Sequence, residues 1–330
     1  MRTNSFLKFS SIIICYLFSG CAFVNAPINL FSSRQPLVEQ KIEGTGTGKI
    51  LIVDISGDIE TLRGHEVMGS RKKPGMVSEI KEVLRKAERD PDIKAVVLRV
   101  NSQGGTVTAS DIIYHEIKTF KQRKKIPVVA ALLDYAASGG YYVAVAADKL
   151  VANPTTVLGS IGVLFVKINV KGLMEKIGVD KDVVTGGKMK AASFPFEPFT
   201  DEERRLVQDI IDHLHDRFKK IVRENRPGLT SEELDKIADG RVFDAEKAKR
   251  YKLVDQIGYL PDAISLARRM AGLSEASIIT YKQNTEYKGD IYAGSRFPQT
   301  VNLLNFDLGV LAGYGSPAFM YRWVPASGAD

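Results

Sequence analysis

The sequence predicts an α/β fold with parallel strand pairing. Short β-branched runs recur through the first half of the chain, and segments with apolar residues at helical spacing separate them. The composition agrees: 330 residues, 44% hydrophobic and 26% charged, describe a globular chain of one large domain or two smaller ones. Disorder throughout, collagen and a polytopic membrane protein are excluded on the same figures. The net charge of +7 is spread along the chain. Its densest basic run, 121–125, reads as a solvated helix end ahead of Pro127, so no nucleic-acid partner is expected.

The chain opens on a leader. Arg2 and Lys8 flank a polar start, residues 9–18 form an apolar run, and Ser19, Gly20 and Cys21 follow. A basic start, a short apolar centre and a small-residue exit describe an export signal over 1–20. The run is about ten residues, whereas a spanning helix takes about 20. The chain's two cysteines, Cys15 and Cys21, both lie here, so the folded part is expected to hold no disulfide even though export implies an oxidising compartment. Residues 17–21 (LFSGC) resemble a bacterial lipobox, in which the cysteine is lipidated and becomes the mature terminus. Cys21 is therefore the expected lipidation site, and cleavage of a plain signal near Ala26 is the alternative.

Residues 21–48 end in GTGTG and read as a linker; the main domain is expected over 49–271 and an extension over 272–330. Residues 49–55 (KILIVDI) have the length and composition of a buried strand. A polar loop over 64–75 precedes a helix over 77–88, with Ile80, Val83, Leu84 and Ala87 on one face. Asp90-Pro91-Asp92 breaks the chain before a strand at 95–100 and a loop at 101–105. Ala109, Ile112, Ile113, Ile117 and Phe120 outline the next helix. Pro127 opens a strand at 128–132, a helix starts near Ser138, and 150–152 is a short strand. Farther on, 171–177 reads as a helix and 181–185 as a strand. Thr200 to Glu203 is a capping box opening a long helix whose stripe is Leu206, Ile210, Leu214, Phe218 and Ile221. Thr230 and Glu233 make a second box, and Pro261 starts a helix running to about Ala271. The aromatic tail ending in 319–323 is expected to pack on something.

Two glycine-rich loops follow apolar strands: Asn101-Ser102-Gln103-Gly104-Gly105 and Ala136-Ala137-Ser138-Gly139-Gly140. Where a strand gives way to a helix, backbone N–H groups are unpaired and can hold a developing oxyanion. Ser138 could be a nucleophile there, or only a helix cap. A nucleophilic serine needs a base. The four histidines serve poorly: His65 lies in a loop, His115 beside charges, and His213 and His215 two apart on a helix, facing different ways. Neither a zinc site nor any other cofactor is expected. The remaining base is a lysine made neutral by burial. The segment 185–193 (TGGKMKAAS) offers Lys188 and Lys190, and their spacing does not choose between them.

Five motifs in order give the chain a resemblance from about Lys49 to Ala271: VNSQGG at 100–105, AASGGYYVAVAAD at 136–148, NPTTVLGSIGV at 153–163, TGGKMKAA at 185–192 and GRVFDAEKAKRYKLVDQIG at 240–258. Together they resemble the short form of the signal peptide peptidase A (SppA) family, Ser–Lys peptidases related to Clp protease and the crotonases. The resemblance implies a stack of β-β-α units with a helical extension. It implies Ser138 as nucleophile, Lys190 as general base, Ser160 as the residue orienting that lysine, and the N–H groups of Gly104 and Gly139 as oxyanion donors. It implies a membrane-associated endopeptidase acting on cleaved signal peptides or other short apolar peptides, assembled as a homo-oligomeric ring in the bacterial envelope, with Ser and Lys supplied by neighbouring protomers or halves. Gln103 departs from a common Pro, and 191–195 departs from a common Ser-Pro. The alternatives are a catalytically inactive, ring-forming peptide-binding lipoprotein and an acyl-CoA enzyme of crotonase type, against which export counts.

Overall fold

A computed structural model describes residues 36–61, 75–192, 194–283, 291 and 319–324. The export signal, Cys21 and His65 lie outside these residues, as does most of the loop expected at 64–75. The described residues from Leu37 onward belong to one compact unit.

The run KILIVDI forms strand β2 (Lys49–Ser56), buried on both faces as a central parallel strand should be. Ile50 and Ile52 face one core cluster, and Leu51, Val53 and Ile55 the other. Strands β3 (Ile93–Ser102), β5 (Val128–Ala137) and β6 (Lys149–Ala152) continue the sheet in parallel. On one face pack helices α1 (Met76–Arg89) and α2 (Val107–Lys124). Ile80, Leu84 and Ala87 are the buried stripe of α1; Ala109, Ile113, Ile117 and Phe120 are that of α2. The opposite face is covered by a late helix, Leu260–Met270, through Leu260, Ala263, Ile264 and Ala267. The α/β class is as expected, and β3, the short strand β4 (Gly104–Thr106) and α2 make one β-β-α unit.

Three local expectations are corrected. Within the expected linker, Leu37–Glu43 is strand β1, paired antiparallel with Ser277–Gln283, which in turn lies parallel to β2. Its polar sequence suits an exposed edge, so it carries no apolar signal. In the expected loop at 101–105, β3 extends to Ser102 and β4 begins at Gly104, because distant segments supply its partners: Ile59 bridges Gly105, and Phe319–Arg322 pairs with the whole of β4. The strand expected at 181–185 is absent. Val184 there is 94% exposed, and without a partner strand or a core to cover it a β-branched run has nothing to pair with.

Parallel strands β3 and β5 end side by side, and this places the site. Strand β5 pairs with β6 through Val129–Leu132. After a break in register it turns to a second neighbour, β7 (Val157–Gly159), through Tyr135–Ala137. That change of partner carries the end of β5 out over the loop following β3.

Candidate active site

Ser138 stands where β5 gives way to helix α3 (Gly139–Ala144). Its backbone has φ 52° and ψ −116°, a conformation a residue with a Cβ seldom adopts. Such strain costs of order 1–3 kcal/mol and persists only where surroundings enforce it. Here they do: the Ser138 N–H donates to the Gly159 carbonyl at 2.7 Å, and its carbonyl accepts from Tyr142 N–H at 2.9 Å. The side chain caps nothing, so the helix-cap reading of Ser138 does not hold. A sharp strand-to-helix turn that holds a serine without giving it a capping role is the geometry of a nucleophile elbow.

The two glycine loops meet at this turn. A Cβ on Gly139 would lie 2.5 Å from Ser110 Oγ and 3.1 Å from Gly104 Cα, and one on Gly104 would lie 2.8 Å from Gly139 N. Gly104 also has φ +106°, so glycine is required there twice over. Gly139 N–H is the first of its helix and has no acceptor within it. Gly104 N–H donates to Ser102 Oγ at 3.0 Å, and Ser102 Oγ donates to the Gly57 carbonyl at 2.6 Å.

Ser160 lies beside Ser138, because Ala137 and Gly159 are paired residues of β5 and β7 and each serine follows one of them. Ser160 also has positive φ, 50°, and is 7% exposed; its N–H donates to the Arg241 carbonyl at 2.8 Å. The structure thus brings together Ser138, Gly139, Gly104 and Ser160.

Lys190 is not among them. It lies exposed in a turn in which its own N–H donates to the Gly187 carbonyl, and among the described residues no hydrogen bond joins it to Ser138. Lys188 is held differently: its Nζ pairs with Glu202 at 2.5 Å, and that carboxylate keeps the ammonium above its usual range. Lys167, unmarked by any motif, donates to the Ala192 carbonyl at 2.7 Å and lies over the Phe199 ring at 4.1 Å. It ties the lysine-bearing segment to the body, and burial lowers its pKa. His115 and His213 are exposed and take no part in the site.

Sequence reasoning gave the tail no place at the site. After the strands β9 (Val242–Asp244), β10 (Gln256–Ile257) and β11 (Ser277–Gln283), strand β12 (Phe319–Arg322) lies antiparallel between β4 and the two-residue strand β8 (Leu164–Phe165). Tyr321 is fully buried against Tyr142 and Phe218, with ring centroids at 5.0 and 4.8 Å. The aromatic composition of the tail was the signal, and the strands it joins are too short to be read locally.

Comparison with known proteins follows the same lines. Residues 120–274 match the family model of peptidase family S49, and residues 63–157 match that of Clp protease. An Enterococcus faecium protein named as a signal peptide peptidase SppA is 31% identical over 271 residues, 82% of this chain and 78% of that one. Protease 4 of Salmonella typhi is 35% identical over 235 residues, 71% of this chain but 37% of the relative, so the chain spans little more than a third of that longer protein. A Clp protease mutant from Listeria monocytogenes superposes with a TM-score of 0.40 at 18% identity, covering 64% of this chain and 94% of its own.

Proposed function

The chain belongs to peptidase family S49, and on that premise we propose that it is a membrane-associated serine endopeptidase with a Ser138–Lys190 dyad. The observation that carries this reading is the strained, buried Ser138 held at a strand-to-helix turn against Gly104. Ser138 Oγ attacks the scissile carbonyl carbon while a neutral lysine amine takes the hydroxyl proton. The tetrahedral oxyanion is met by the N–H of Gly139 and by that of Gly104, which exchanges Ser102 Oγ for it. The C–N bond then breaks, the ammonium returns its proton to the leaving amine, and an ester on Ser138 remains. Water, deprotonated by the same lysine, hydrolyses that ester. Ser160 orients the lysine.

Lys190 reaches a neighbour's Ser138 in an assembly of several copies. In support, the elements around it leave apolar side chains uncovered: Ile177 is 63% exposed, Val184 94%, Leu206 50% and Ile210 38%. An apolar surface this extended is covered in assemblies. It explains why the stripe of the helix Asp201–Asn225 is buried only at Phe218, Ile221 and Val222. Among the described residues no helix is long and apolar enough to cross a membrane. Attachment then falls to the amino-terminal segment, with a lipid on Cys21. The substrates are cleaved signal peptides and other short apolar peptides, met outside the cytoplasm of a bacterial cell.

Because a lysine is a base only when neutral, kcat/KM for a short apolar peptide is expected to rise with pH along a basic limb. A stopped assay across the pH range tests this. A profile governed by a group near the ordinary histidine value of about 6.5 points to a histidine base instead.

A further inference from the structure

The two donors assigned to the oxyanion are held differently at rest. Gly139 N–H opens helix α3 and has no acceptor inside it. Gly104 N–H is already engaged, by Ser102 Oγ at 3.0 Å. A hydroxyl has a single proton, and Ser102 gives its own to the Gly57 carbonyl at 2.6 Å. That bond turns an oxygen lone pair toward Gly104 and makes Ser102 an acceptor there. Neighbouring backbone fixes the arrangement. Gly57, with φ +85°, follows β2 and donates its own N–H to the Asn101 carbonyl at 3.0 Å. Ser102 ends β3 fully buried, and a Cβ on Gly140 would lie 2.5 Å from its carbonyl oxygen and 3.3 Å from its Cβ. The Gly104 carbonyl accepts from Ile59 N–H at 2.9 Å. Ser102 therefore sits between the first turn of the nucleophile's helix and the loop that supplies the second donor, and it draws the Gly104 N–H toward buried protein.

A neutral hydroxyl and a neutral peptide carbonyl are acceptors of similar strength, so a substrate carbonyl gains little by replacing Ser102 at this N–H. A tetrahedral oxyanion carries a full charge, and hydrogen bonds to ionised acceptors are roughly twice as strong. The donor is thus withheld from the bound substrate and released to the transition state. We propose that Ser102 is a positioning residue, a latch whose hydroxyl, braced on the Gly57 carbonyl, occupies the Gly104 N–H in the resting site and yields it to the oxyanion. The proposal rests on Ser138 being the nucleophile of a peptidase, so the test includes a readout that needs no catalysis.

The first measurement is hydrolysis of a short apolar peptide by the full chain and by Ser102→Ala, with KM and kcat read separately. Removing the hydroxyl frees the N–H for substrate and transition state alike, a gain in uniform binding that lowers KM and leaves kcat where it was. For one ordinary hydrogen bond, KM should fall about fivefold and kcat/KM rise about fivefold. The melting temperature should fall at the same time, because the Gly57 carbonyl and the Gly104 N–H both lose their partner. A merely structural serine would lose stability without the gain in kcat/KM. The second measurement is anisotropy of a fluorescent apolar peptide on Ser138→Ala and on the double variant Ser102→Ala, Ser138→Ala, in which nothing is cleaved. The double variant should bind about fivefold more tightly. Ser102→Cys, whose sulfur is a weak acceptor, should move both quantities the same way by less, and it decides the matter if Ser102→Ala does not fold. A folded variant with KM and peptide affinity no better than its parent would make Ser102 a structural residue and overturn the proposal. Tighter binding where the unaltered chain hydrolyses nothing sustains the latch and removes the peptidase reading; unchanged KM and affinity in chains that hydrolyse peptide do the reverse.

Discussion

Ser138→Ala is expected to lower peptide hydrolysis by about three orders of magnitude or more, with the fold intact. Loss of the nucleophile removes the covalent route entirely, and what remains is binding and oxyanion stabilisation alone. The fold survives because Ser138 Oγ caps no helix and alanine keeps the same Cβ in the same strained backbone. Ser138→Gly separates the two effects further. Glycine adopts φ 52° without cost, so this variant should be as inactive as Ser138→Ala yet more stable, by about 1 kcal/mol. Initial rates and denaturant midpoints measured on the three proteins check both halves. Retained hydrolysis in Ser138→Ala would move the nucleophile elsewhere.

Lys190→Ala should cause a loss of similar size, whereas Lys188→Ala should be near neutral, since Lys188 only pairs with Glu202 across an exposed surface. Members of a dyad act as a unit, so the double variant Ser138→Ala, Lys190→Ala should be little worse than either alone. The exposure of Lys190 and the burial of Ser138 give this prediction a second arm. If the two come from neighbouring copies, inactive Ser138→Ala and inactive Lys190→Ala chains refolded together should regain activity, because some interfaces then unite an intact serine with an intact lysine. An assembly of the right size with no recovered activity would place both groups in one copy.

The parts of the fold that residue patterns could reveal are those whose burial is periodic. The stripe Ile80, Leu84, Ala87 and the unbroken run of β2 place α1 and a central strand without any tertiary knowledge. The edges were hidden for the opposite reason. Strand β1 is polar because it is an edge, and β4, β8 and β12 are two to four residues long, paired with one another and, through Gly105, with Ile59. Their existence depends on contacts between residues more than 150 positions apart along the chain, which no local window holds. The site divides in the same way. Strand-to-helix turns with paired glycines pointed to Ser138 and Gly139 as N–H donors or nucleophile. Assigning Ser160, and preferring Lys190 to Lys188, took a resemblance of motifs, because spacing alone treats the two lysines alike. The aromatic pocket of Tyr142, Phe218 and Tyr321 draws on three distant segments, and only the folded chain assembles it.

The most direct measurement of the central claim is the site of fluorophosphonate attachment. The reagent bonds to a serine whose hydroxyl is activated by a base and whose oxyanion has donors, and it leaves an ordinary buried serine untouched. After reaction of the full chain, mass spectrometry of its proteolytic fragments should find one adduct, on Ser138, and none in Lys190→Ala. An adduct on another serine, or an unmodified Ser138 in an assembly that hydrolyses peptide, would contradict the dyad.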